Sequence, residues 1–253
     1  MPVSHLRFLA IESSTDTLSV GLGSGAPGEA PLLFSGPGAA QSSATLLPAV
    51  QSLLAEAGWT LASLDAVVFG RGPGSFTGLR TACAVAQGLA YGAGGRPVLP
   101  VDTLLALAEA ARIARRAEGL TVPPMTAALL DARMDEVYVA LYAHMGGAVQ
   151  TTPLVGPQLC ATGEVAGWLT RVLPAGFAPG RECLLAGNLF TDSADRLGPL
   201  AGPRQPALPT AEALLALAPR LLAAGHAVRA RDAQPLYVRD KVARTTLERE
   251  AGA

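Results

Sequence analysis

An α/β protein of two lobes is what this sequence predicts, on three observations. The first half reads as three strands, a helix, a strand, a helix and a strand, an order that parses as one lobe of sheet and helices. The second half repeats that order loosely, without a residue-level repeat. The chain has 253 residues, 50% of them hydrophobic, which suffices for one large domain or two lobes of ordinary size. Aromatic residues are only 5% of the total, so the core has to be built from Ala, Leu and Val.

The elements follow in order. Residues 6–11 are apolar and meet Glu12-Ser13-Ser14-Thr15-Asp16-Thr17; an alternating run over 18–22 then ends in the glycine-rich segment 21–28. That is a β-hairpin whose turn is packed with hydroxyls and carboxylates. A third strand is expected near 31–35. Ser42 or Ser43 is expected to cap a helix over 43–57, with Leu46, Leu47, Val50, Leu53, Leu54 and Ala57 on one stripe and Gly58 closing it. The run 64–69 reads as a buried strand, and a helix over 76–93 carries Leu79, Ala82, Cys83, Ala86, Leu89, Ala90 and Ala93 at spacings of three and four. A strand at 97–101 closes the first lobe, which is expected to span 1–101, with the second over 102–253.

In the second lobe a helix is expected over 103–117, strands at 125–130, 137–142, 149–155 and 183–186, and a helix over 163–172. A further helix over 210–224 is expected to pack back on the first lobe. Proline and glycine crowd 174–180 and 198–209, which read as surface loops. The tail 229–253 holds six basic and four acidic residues, too small an excess for a strong nucleic-acid site, and reads as solvated and flexible.

Net charge is −1, which argues against a protein that grips nucleic acid by electrostatics alone. Cys83, Cys160 and Cys183 are far apart and show no C-x-x-C, so three thiols in a reducing compartment are expected. The N-terminus lacks a positive region followed by a long apolar stretch, and no run has the length of a membrane span; a soluble cytoplasmic protein is expected.

The stretch from Phe69 through Gly70-Arg71-Gly72-Pro73-Gly74-Ser75-Phe76-Thr77-Gly78 to Leu79 and Arg80 links strand to helix. Such a turn can cradle an anion, since glycines admit close backbone approach and a helix start offers free N–H groups. The plainer reading is a tight strand-to-helix connection, and the spacing fits neither the P-loop nor the dinucleotide fingerprint. Ser75 is not in G-x-S-x-G and no His has a visible acidic orienter, so capping the helix is the expected job of this serine. His5, His144 and His226 are isolated, which excludes H-E-x-x-H metalloprotease chemistry and leaves no metal site to name. Asp131, Arg133, Asp135 and Glu136 read either as an acid–base set or, more simply, as a polar hairpin turn with one ion pair.

The helix over 76–93 shows small residues on more than one side (Ala82, Ala84, Ala86, Gly88, Ala90 and Gly92), so it is expected to face its own sheet on one side. The other side faces either a partner or more of its own chain.

Four stretches resemble one family. They are Ile11-Glu12-Ser13-Ser14-Thr15, Gly70 to Arg80, Asp131-Ala132-Arg133-Met134 with Glu136-Val137-Tyr138, and Pro235-Leu236-Tyr237-Val238-Arg239. In order, and over about residues 6–244, the chain resembles the TsaB (YeaZ) family of bacterial tRNA threonylcarbamoyladenosine biosynthesis proteins. The resemblance implies an actin-like, sugar-kinase-like fold of two lobes, with mixed sheets flanked by helices. It implies a cytoplasmic, non-catalytic scaffold for TsaD, the related subunit that transfers the threonylcarbamoyl group to the N6 of the adenosine next to the anticodon of ANN-decoding tRNAs. An ATPase, TsaE, joins the same assembly, tRNA is reached only through the complex, and no cofactor is implied.

With TsaD, or with a second copy when TsaD is absent, the resemblance implies a four-helix contact through Leu46, Leu47, Val50, Leu53, Leu54, Ala82, Val85, Ala86 and Leu89. Glu12, Ser13, Ser14 and Thr15 become a vestigial or shared phosphate loop, and Gly72, Pro73, Gly74, Ser75 and Gly78 a structural turn. The competing reading is a small-molecule kinase or ATPase of the same fold. Against it, no glycine lies between Ile11 and Thr17, the second loop Asp131-Ala132-Arg133-Met134-Asp135-Glu136 is bulky and acidic, and Gly187-Asn188 is half of an adenosine-binding turn. A pocket without room for phosphates is therefore expected.

Overall fold

A computed structural model of the chain describes residues 6–26, 28–38, 42–177, 179–190, 197 and 200–239. The stretch 240–253 of the expected flexible tail lies outside the described residues.

The first sheet contains β1 (Phe8–Glu12), β2 (Thr17–Gly23), β3 (Leu32–Pro37), β4 (Ala66–Gly72) and β5 (Val98–Asp102), in the order β3-β2-β1-β4-β5. β1–β2 and β2–β3 pair antiparallel, and β1–β4 and β4–β5 pair parallel. The second sheet contains β6 (Met125–Arg133), β7 (Glu136–Met145), β8 (Ala148–Val149), β9 (Val155–Ala161), β10 (Cys183–Gly187) and β11 (Arg204–Pro206). Read from β9, its order is β9-β7-β6-β10-β11, with the same alternation of antiparallel and parallel pairs. The loose repeat of the sequence is thus a repeat of strand order: β6 stands where β1 does, and β7 where β2 does.

Five layers result. α1 (Ser42–Ala57) and α2 (Phe76–Gly92) cover the outer face of the first sheet, against Leu9, Ile11, Leu18, Val20, Val67 and Phe69. α3 (Thr103–Ala117) and α6 (Ala211–Ala223) lie between the sheets, where Phe8, Ala10 and Val68 meet one side and Ala128, Leu130 and Tyr142 the other. α4 (Val165–Val172) caps the outer face of the second sheet through Val165, Trp168 and Leu169; α5 (Pro179–Glu182) is a single turn leading into β10. β1 is wholly buried because alternate residues enter different layers, and each such fully buried Leu or Ile contributes roughly 1.5–3 kcal/mol. α6 is tied to the first sheet by the Ala211 amide, which donates to Ser19 Oγ at 2.9 Å.

Several boundaries differ from the sequence reading. Ser42 is the first residue of α1 rather than its cap, and its buried hydroxyl has no hydrogen-bond partner among the described residues. The strand expected at 149–155 is two strands: Gly146 and Gly147 turn the chain into the two-residue β8, and Pro153, which has no N–H to donate, separates it from β9. The expected loops 174–180 and 198–209 contain the start of α5 and the edge strand β11. The tail reading fails over 229–239, since Ala233 is buried, Leu236 bonds Arg71 at the end of β4 and Arg239 bonds Ala132 at the end of β6. No helix among the described residues is long and apolar enough to cross a membrane.

Candidate functional site

The β1–β2 turn is closed from above by the glycine stretch. Ser75 N donates to the Ser14 carbonyl (2.7 Å), and Ser13 Oγ donates to the Gly78 carbonyl (2.8 Å). A methyl group at Gly78 would collide with the Ser13 carbonyl, one at Gly74 would lie 2.5 Å from that of Ser14, and one at Gly70 would strike the Glu12 carboxylate. Gly72 has φ +116°, out of reach of an L side chain, and precedes a cis bond to Pro73. The glycines are there because two backbones touch. Ser75 is the N-cap of α2 and accepts from Gly78 N at 3.5 Å.

Under this lid Glu12 is fully buried. Its Oε1 accepts from the Ser14 amide (2.7 Å), and its Oε2 has no partner. Burial pushes its pKa above the ordinary value, against the opposing pull of hydrogen bonds from Ser14 and Ser13.

The β6–β7 hairpin faces this assembly. Arg133, Met134 and Asp135 all have positive φ (60°, 56° and 58°), with the pair Met134-Asp135 forming the two-residue turn. For residues with side chains this is a costly conformation, about 1–3 kcal/mol at each position, which persists only where the surroundings fix it. Asp131 Oδ1 accepts from Arg133 N (2.8 Å), and Asn188 Oδ1 accepts from Asp131 N (2.9 Å). A side chain at Gly187 would strike the Leu129 carbonyl, so Gly187-Asn188 serves strand approach and hairpin capping. Arg239 donates to the Ala132 carbonyl (3.0 Å) and pairs with Glu136. Arg133 reaches across to Asp16 at 2.8 Å, both largely exposed.

Between the two hairpins lies a cleft of about 590 Å³, lined by Ser14, Thr15, Asp16, Ser75, Asp131, Arg133 and Tyr237 among others. The expectation that the pocket has no room is corrected: side chains at the hairpin tips flank the cavity without filling it. Four of the backbone donors around it are already engaged. Ser14 N is used by Glu12, Thr17 N by Thr15 Oγ1 (3.2 Å), Asp131 N by Asn188 and Arg133 N by Asp131. Phosphate groups are held in such clefts by uncommitted backbone N–H groups and a reachable carboxylate. Here four amides are engaged and Glu12 is sealed away.

His144 bonds Thr126 Oγ1 at 2.8 Å, and burial with Arg112 and Arg116 nearby lowers its pKa to about 4. Cys83, Cys160 and Cys183 are buried free thiols. Among the described residues no three His, Cys, Asp or Glu side chains gather into a metal-binding group.

The outer face of α1 and α2 corrects five of the nine expected interface residues. Leu46, Val50, Leu53, Ala82 and Ala86 are buried against their own sheet and are core residues. Leu47 is 45% exposed, and Leu54, Val85 and Leu89 are half-buried. The exposed surface also presents Pro48, Ala84, Gly88 and Tyr91, which the stripe of core residues did not point to. A methyl group at Gly88 would meet nothing within 4 Å, so no contact among the described residues requires a glycine there.

Two sheets of one strand order around a shared helical layer, with a cleft between their first hairpins, define a protein of the actin-like class. Residues 38–181 match the family model "TsaD: tRNA N6-adenosine threonylcarbamoyltransferase". The chain is 32% identical to the tRNA threonylcarbamoyladenosine biosynthesis protein TsaB of Haemophilus influenzae, over 95% of this chain and 96% of that one. It is 31% identical to TsaB of Escherichia coli K12, over 94% and 96%. The solved structure of YeaZ from Pseudomonas aeruginosa superposes with a TM-score of 0.74 at 33% identity, covering 92% of this chain and 99% of that one. The chain belongs to the TsaB (YeaZ) family.

Proposed function

We propose that this chain is a non-catalytic scaffold subunit in tRNA threonylcarbamoyladenosine biosynthesis. It holds a TsaD-like catalytic subunit on the exposed side of α1 and α2, and supports threonylcarbamoyl transfer that it does not perform. The observation that carries this reading is the exposed apolar and small surface of α1 and α2, and four cleft amides committed to the chain's own side chains weaken the alternative of a phosphate site. The exposed apolar and small residues Leu47, Pro48, Ala84 and Gly88 fit a close helix-to-helix contact. In this reading a TsaE-like ATPase joins the assembly, tRNA is met only through the complex, and the same face pairs two copies when the catalytic subunit is absent.

The test is reconstitution of the modification reaction from TsaD-family and TsaE-family subunits, with this chain, without it, or with its Leu47→Glu/Val85→Glu variant. Modification is expected only with the native chain, while the variant keeps its melting temperature. A variant that still supports the reaction would show that the face is misassigned. ATP turnover by the isolated chain, abolished by Glu12→Ala, would instead support the small-molecule kinase or ATPase reading, which the open cleft favours.

A further inference from the structure

Residues 233–239 have no regular secondary structure, yet they are fixed at both ends. At one end the Ala233 carbonyl accepts from Gln87 Nε2 (3.0 Å) and Cys83 Sγ (3.5 Å), on the flank of α2. In the middle, Leu236 N donates to the Arg71 carbonyl (2.6 Å) at the end of β4. Tyr237 packs on Phe76 with ring centroids 5.3 Å apart, and its hydroxyl accepts from Arg80 Nε (3.1 Å). At the other end Arg239 pairs with Glu136 and donates to the carbonyls of Ala132 (3.0 Å) and Arg133 (3.5 Å). Seven residues therefore run from the outermost helix of the first sheet, along the wall of the cleft, to the strained turn of the second sheet.

We propose that this segment is a latch: it holds the β6–β7 turn in its left-handed conformation and keeps the cleft closed to its present width, and it couples that turn to α2. Three observations converge on it. Three successive side-chain-bearing residues at positive φ need an external restraint, and one guanidinium contacts four acceptors on that turn: the carbonyls of Ala132 and Arg133, Met134 Sδ and the Glu136 carboxylate. A second tie across the cleft mouth, Arg133 to Asp16, is exposed on both sides and so contributes little. Finally, Leu236 to Arg239 themselves line the cavity, so displacing them changes its width. Because the two ends are one short stretch of chain, loosening either end loosens the other, and such coupling is reciprocal.

The latch stands or falls without reference to any partner, so its failure is separate from failure of the scaffold reading. Amide exchange followed by mass spectrometry on the full chain tests it, with Arg239→Ala cutting one end and Gln87→Ala removing the shorter of the two hydrogen bonds that hold the other. Both variants should speed exchange over 131–137, by about tenfold for local opening of a restrained turn, and both should speed exchange at Leu236. The decisive variant is Gln87→Ala, which touches no residue of the turn. If it leaves 131–137 at the native rate while Arg239→Ala speeds it, the segment is a local clamp and the coupling is refuted. If Arg239→Ala leaves the turn unchanged, the latch itself is refuted. Should Arg239→Ala fail to fold, Tyr237→Ala cuts the segment at its midpoint and is read in the same way.

Discussion

Glu12 is the residue whose chemistry differs most from what its neighbours in sequence imply. Its carboxyl is fully buried with one oxygen unpartnered, and burial holds its pKa above the 4.5 expected for an unfolded chain. For a raised acid the sign is fixed: stability is fully present below the unfolded value and falls as pH rises through the folded one. Glu12→Gln removes that titration. The variant should therefore melt higher than the native chain at pH 8 and differ little at pH 4, in paired thermal scans; an equal loss at both pH values would mean that the carboxyl is not the titrating group. The sequence made Glu12 visible as the first member of a polar turn. Its sealing was not legible, because the lid comes from Gly70, Gly74 and Gly78, some sixty residues away, and only their contact distances reveal what they cover. Arg239 was hidden for a similar reason, since it lay in a segment whose charge balance suggested a solvated tail.

α1 and α2 show how far hydrophobic spacing reaches. Both helices were legible to within a residue or two, and so was the fact that each has an apolar stripe. Which way each stripe points was not. α2 contains one charged residue, Arg80, and α1 one, Glu56, so no polar face fixes the rotation, and Leu46, Val50, Leu53, Ala82 and Ala86 turned inward. Gly88 makes the outward side testable. A glycine inside a helix costs about 1 kcal/mol relative to alanine, and here no intrachain contact offsets it. Gly88→Ala should stabilise the isolated chain by up to that amount in denaturant unfolding. Gly88→Phe should leave the isolated fold intact and abolish co-purification with a TsaD-family subunit; retained binding would remove Gly88 from the contact. The short strands were the least legible elements. β8 has two residues and β11 three, too few for any alternation to register.

Across the whole molecule, the doubled strand order was foreseeable from the succession of strands and helices, although no residue repeats. The sharing of α3 and α6 was less so, because an apolar stripe does not announce which sheets it will separate. One cluster runs from Phe8 and Val68 through Leu104, Leu107, Leu214 and Leu217 to Ala128 and Tyr142. Neither sheet has an inner lining of its own, so urea unfolding followed by tryptophan fluorescence and by far-UV circular dichroism should give coincident single transitions; two separated midpoints would show that each sheet survives alone. The same arrangement bears on anyone trimming this polypeptide for study. A piece ending after β5 would present a bare oily wall to water, and a piece beginning at β6 would lack half its ceiling, so neither should remain dispersed when expressed by itself.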